Sequence, residues 1–130
     1  MRLQAIMLIM LAMILAACQQ NPASTIAYSE IPAEGDAARG AEIFNQVINL
    51  APACSSCHND SAVAAPVLDG YSAVAGTRVE GQDAREYTFY AIAEPGRHIV
   101  SGYGNAMYNQ YDEKLTGQQL ADLIAYLLSL

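Results

Sequence analysis

Apolar residues fall into one continuous block and three periodic blocks along the chain. The continuous block, Ala5 to Leu15, is built of Ile, Leu, Met and Ala. It is too short to cross a bilayer comfortably, which takes about 20 apolar residues. Behind the short positive start Met1-Arg2 it suits the apolar centre of a secretion signal. The other three blocks repeat at helical spacing. Ala37, Ala41, Phe44, Val47 and Ile48, with Ile43 beside them, follow Asp36, a good N-cap residue. A first helix is therefore expected from Asp36 to about Ile48, ended by Asn49–Ala53 with Pro52. A second begins at Asp83, with Glu86 three residues on in an Asp variant of the capping box. It runs through Tyr87, Tyr90, Ala91 and Ala93 to about Glu94, where Pro95-Gly96 stops it. A third starts at Thr116, capped with Gln119, and presents Leu120, Leu123, Ile124, Leu127 and Leu128 on one face. Between Asp69 and Gln82 small residues and Gly predict a loop with one short helix near Tyr71–Ala75. No alternating strand pattern persists and no internal repeat is present, so a small all-α domain is expected.

The chemistry enters between the first two helices, at Cys54-Ser55-Ser56-Cys57-His58. C-x-x-C-H is the attachment signature of a c-type haem. Two thiols three residues apart can each add to one vinyl group of a single porphyrin, and His58 then lies under the iron. A second iron ligand must come from elsewhere. Met107 is the only methionine beyond the N-terminal segment, and His98 is the only other histidine. Met107 stands in the Gly-rich stretch Gly102-Tyr103-Gly104-Asn105-Ala106-Met107, where backbone can approach a flat ring. A lone Met usually packs a core. That reading is weaker in a polar loop, which favours Met107 over His98 as the ligand.

The third cysteine supplies an address. Leu15-Ala16-Ala17-Cys18 resembles the lipobox of bacterial lipoproteins, whose Cys is lipidated and becomes the first mature residue. On that reading residues 1–17 are a signal peptide and 18–33 a lipid-anchored flexible tether, with Asn21, Pro22, Ser24, Thr25 and Pro32 and no helical period. Residues 34–130 are then the globular domain. An ordinary signal peptide with an incidental Cys18 is the alternative. With Cys18 acylated, only Cys54 and Cys57 remain, so no structural disulfide is available and the covalent cofactor must staple a small core.

Charge narrows the partners. The chain carries 6 basic and 13 acidic residues, net −7, and loss of Arg2 with the signal makes it −8. Such a surface argues against nucleic acid and against anionic lipid bound by charge, and it suits a partner with a basic docking patch. Simple solubility explains it equally well. Three rival site chemistries share parts of this residue set. A zinc site could use Cys54, Cys57, His58 and His98, but the adjacent Cys57 and His58 point apart and no second C-x-x-C exists. A thiol–disulfide site needs a strand–helix unit that the pattern does not contain. A haem sensor or peroxidase would keep the sixth iron position open, which requires that Met107 not bind.

With these residues assembled, the chain from Glu34 to Leu130 resembles a class I monohaem cytochrome c of the bacterial, membrane-anchored lipoprotein type. Gly35-Asp36-Ala37-Ala38-Arg39-Gly40-Ala41-Glu42-Ile43-Phe44 is similar to that family's first helix, where Gly40 and Phe44 would pack on the last helix and meet Tyr126. Pro66 resembles the Pro after the haem motif, whose carbonyl would fix the His58 ring. The run Ile92-Ala93-Glu94-Pro95-Gly96 and then Gly102-Tyr103 resembles the approach to the distal Met in membrane-associated members. Two departures stand out: Tyr108 follows Met107 where Pro is frequent, and the chain has no Trp. A propionate donor would then be Tyr71, Tyr103 or Arg97. The resemblance implies a helical domain wrapped around one covalent haem c, ligated by His58 and Met107, that transfers one electron and binds no small-molecule substrate. It implies redox protein partners or integral membrane subunits of an electron-transfer complex, at the outer face of a cytoplasmic membrane.

Overall fold

The computed structural model describes residues 24–61 and 63–130; the expected signal segment and Cys18 lie outside them. The described residues form five α-helices: α1 (Ala37–Phe44), α2 (Tyr71–Ala75), α3 (Ala84–Ala93), α4 (Tyr111–Lys114) and α5 (Gly117–Leu127). Short 3-10 turns at Tyr28–Glu30 and Cys54–Ser56 complete the order. No strand forms among the described residues, and the one β-type pairing is the isolated bridge Ile48–Ala51. The fold is all-α.

The capping chemistry places the helix starts. The Asp36 carboxylate accepts from the N–H groups of Ala38 and Arg39 at 2.8 and 3.1 Å. Asp83 accepts from Glu86 N–H at 2.8 Å. Thr116 and Gln119 form a reciprocal capping box at the start of α5. The first helix stops at Phe44, short of the Val47–Ile48 end that its apolar stripe predicted. Asn45 is the reason: its side-chain amide donates to Ala41 O at 2.9 Å, taking one of the last-turn carbonyls. The chain then reverses through Asn49 and Leu50, both left-handed (φ 49° and 70°), the pair of positive φ values that a type I′ turn needs. Val47 is left 67 % exposed.

The principal helix pair is α1 against α5. Gly40 makes it possible, because a Cβ there would stand 2.0 Å from the carbonyl oxygen of Asp122; Gly35 meets Ala121 in the same way. Phe44 and Tyr126 pack across the pair with ring centroids 5.3 Å apart. Asp122 is buried on α5 and takes the Arg39 guanidinium in two bonds of 2.8 and 3.0 Å, with further bonds from Asp36 N–H and Gln118. The Arg39 bond chiefly holds the Asp122 carboxyl well below its usual range, at about 2. Phe89, Leu120, Leu123 and Ile124, all 0–1 % exposed, form the centre of the core between α3 and α5.

Ser24–Ala33, expected as part of a flexible tether, packs on the domain. Ile31 is buried in the core, Tyr28 lies on Phe89 and Tyr90 with centroids at 5.4 and 6.4 Å, and Arg85 donates to Pro32 O. Two apolar anchors and an arginine fix a segment whose sequence has no helical period.

Candidate functional site

One cavity of about 340 Å³ opens beside the core, within the usual range for a ligand pocket. Four pieces of chain wall it: the Cys motif, the segment from Ala64 through α2, the inner face of α3, and the loop Pro95–Tyr108 with Tyr111. Leu123 and Leu127 of α5 close the back. The lining is mostly apolar. Among its residues Arg78 is the only Lys or Arg, and Asp69 the only acid. Val67, Val74, Ile99 and Tyr103 line the cavity and are also 37–50 % exposed, so they mark its mouth.

Cys54, Cys57 and His58 lie together on one wall. Ala53 leads in extended, and the 3-10 turn at Cys54–Ser56 follows, with Cys57 N–H and His58 N–H both donating to Cys54 O. Both thiols are unbridged. Burial raises the Cys54 thiol above its ordinary value, against a smaller opposing effect from Tyr111. His58 Nδ1 lies 2.9 Å from Pro66 O. A carbonyl can only accept, so Nδ1 carries the proton and donates; in the neutral ring Nε2 keeps a lone pair for a metal.

Met107 lines the same cavity and packs against the core cluster. His98 also lines it, but is exposed and sits edge-on to Tyr87 at 5.8 Å. Pro66, Tyr71 and Tyr103 line the cavity as well. Arg97 does not. Its guanidinium lies 3.7 Å over the Tyr90 ring and 3.6 Å from Glu94, while Arg78 stands at the lining. The Thr88 hydroxyl donates its one proton to Ala84 O at 2.6 Å, so the 3.0 Å contact with Tyr71 must use the Tyr71 proton. Burial pushes the Tyr71 phenol up to about 12, and it raises Tyr87 too.

Tyr111 was not singled out in the sequence. Its hydroxyl donates to Pro52 O at 2.9 Å, tying α4 to the chain just ahead of the Cys motif. Burial, followed by the nearby Cys54, raises its phenol. The polar run Asn109-Gln110-Tyr111-Asp112-Glu113-Lys114 carries no apolar period that could have signalled it.

The donor set fits a covalent haem: two unbridged thiols at the attachment spacing, an imidazole with its proton fixed, and an apolar cavity beside them. No group of three or more His, Cys, Asp or Glu among the described residues is placed to hold a metal ion alone, so the zinc reading has no site there. A small helical fold with this wall defines a haem-bearing electron-transfer domain. The family model described as Cytochrome c matches residues 37–130, and the chain belongs to the cytochrome c family, as a class I member. Members bind haem c covalently, typically one per domain, and transfer electrons through it to and from redox protein partners; they are generally not enzymes. Comparison with curated proteins and with solved structures gave no significant match.

Proposed function

We propose that the chain is a His/Met-ligated cytochrome c that passes single electrons at the outer face of a bacterial cytoplasmic membrane. The observation that carries the ligation is the His58–Pro66 bond, which leaves Nε2 available in a cavity that Met107 also lines. Cys54 and Cys57 would hold the group by two thioethers. When bound, the haem supplies the Fe(III)/Fe(II) couple. The protein's part is to hold and to shield. The Pro66 carbonyl keeps the proton on His58 Nδ1 and fixes the ring direction. Leu68, Ile92, Leu123 and Leu127 keep water from the inner cavity, and the lower dielectric disfavours the more highly charged oxidised state. Met107 works in the same direction, since thioether ligation raises the potential. Electrons leave by the mouth at Val67, Ile99 and Tyr103 without bond making.

The address rests on the sequence: the apolar run Ala5–Leu15 and the lipobox-like Leu15-Ala16-Ala17-Cys18. On this reading residues 1–17 are removed and Cys18 is lipidated. The packing of Ser24 onward leaves the six residues 18–23 as the tether, a length of chain that can reach at most about 22 Å. A domain held that close suits a partner in or on the membrane, including the integral subunits of a respiratory or photosynthetic complex.

Two experiments test this reading. Potentiometric titration of the full-length holoprotein should fit a one-electron step, with the long-wavelength Met–Fe(III) band in the oxidised form and haem retained on denaturation. Loss of haem on denaturation refutes attachment at Cys54 and Cys57. Cys18→Ser should release the protein from membranes; retention there refutes the anchor. Purification in mild detergent then separates a carrier, which comes alone, from a subunit, which brings its complex.

A further inference from the structure

The loop that carries Met107 leaves α3 at Pro95 and rejoins helix at Tyr111. An acid stands at each end of it, Glu94 and Asp112. Both accept hydrogen bonds from consecutive main-chain N–H groups of the N-terminal segment: Ser24 N–H to Glu94 Oε1 at 3.3 Å, and Thr25 N–H to Asp112 Oδ2 at 2.6 Å. The Thr25 hydroxyl adds a bond to Asp112 O at 3.2 Å. Asp112 is 5 % exposed and forms no ion pair among the described residues, so the Thr25 N–H is the partner its carboxylate has. Glu94 extends the link to Arg97 inside the loop at 3.6 Å. Within the loop itself, main-chain bonds are few and local, such as Tyr103 N–H to Val100 O and Ala106 N–H to Gly104 O. A segment of this kind owes its shape to where its ends are held. The two residues that hold them are themselves fixed to α3 and the core by Tyr28, Ile31 and the Arg85–Pro32 bond.

We propose that Ser24 and Thr25 are a clasp that positions the Met107 loop over the cavity, with Glu94 and Asp112 as its two sockets. Release of the clasp opens the Met107 side of the site while the α1–α5 pair stays folded. The proposal rests on Met107 being the axial ligand. Thr25 and Asp112 act through the loop and are positioning residues.

The test uses the full-length ferric holoprotein, with imidazole as the probe that binds iron only when Met107 leaves. Thr25→Pro removes the N–H and the hydroxyl; Asp112→Leu removes the acceptor and keeps the branched side-chain shape. Three quantities are read in each: the imidazole binding rate, the pH at which the Met–Fe(III) band disappears, and the urea midpoint. Each variant should bind imidazole about tenfold faster or more, the scale expected from loss of one buried hydrogen bond. The band should disappear at lower pH. Thr25→Ser, which keeps both donors, should match the parent. Should Thr25→Pro fail to fold, Asp112→Leu decides. Unchanged imidazole rate and band in the variants, with or without a lower urea midpoint, overturns the clasp and leaves an ordinary stabilising contact. Absence of the band in the parent overturns the ligation reading, and the clasp with it.

Discussion

The α1–α5 pair and the cavity wall are built on opposite terms. The pair interlocks: two glycines admit facing backbone, Phe44 meets Tyr126, and the buried Asp122 gathers Arg39, Asp36 N–H and Gln118. Every feature there has a protein partner. The wall, from the Cys motif to Leu68 and from Pro95 to Tyr108, has little regular structure and shows apolar side chains to solvent, with Val63 94 % and Val67 50 % exposed. Its polar anchors are few, chiefly His58–Pro66 and Tyr111–Pro52. One half of the molecule is specified by helix packing and the other is completed by the cofactor it surrounds. A covalent group suits the second half because loops of this composition cannot bury enough of their own surface.

The largest break in this comparison should come from Cys54→Ala with Cys57→Ala. Covalently retained haem should vanish, and hydrogen exchange should show the wall losing protection while α1 and α5 keep more of theirs. Uniform loss across both regions contradicts the division. Next is Gly40→Ala. Its Cβ would stand 2.0 Å from a backbone oxygen, which cannot move aside as a side-chain end could. A cost of about 3 kcal/mol, the upper end for overpacking, should appear in urea unfolding, with the haem spectrum of the folded protein unchanged.

Asp122→Asn gives a smaller effect with a pH signature. The folded-state carboxyl sits at about 2 against 3.8 ordinarily, so the unfolded chain binds more protons in this window. The contribution is fully present above about pH 4 and is lost as pH falls towards about 2. The urea midpoints of parent and variant should therefore differ at neutral pH and converge near pH 2. The smallest effect belongs to the ring pair. A double-mutant cycle of Phe44→Leu and Tyr126→Leu should give a coupling of about 0.5–1.5 kcal/mol.

The sequence disclosed the features that are local in the chain. Asp36, Asp83 and Thr116 cap helices within three residues of themselves, and Cys54 to His58 is a five-residue word. The reading extended to Phe44–Tyr126 only through resemblance to a family. What stayed hidden joins distant residues of ordinary type. Arg39 and Asp122 are 83 positions apart, and Thr25 and Asp112 are 87. Neither pair sits in a pattern that periodicity or spacing can detect. Arg97 and Arg78 are equivalent as residue types; in the fold Arg97 stacks on Tyr90 and meets Glu94, while Arg78 lines the cavity. The Val47–Ile48 overshoot has a different, local origin: the side-chain amide of Asn45, bonded four residues back to Ala41 O, outweighed an apolar repeat.

The central claim is that the cavity wall presents His58 and Met107 to one iron. Met107→Ala in the full-length holoprotein tests it most directly, by spectroscopy and potentiometric titration together. Loss of the Met–Fe(III) band, a lower midpoint potential and binding of carbon monoxide by the reduced form are the results expected. An unchanged spectrum and midpoint in that variant would contradict the account.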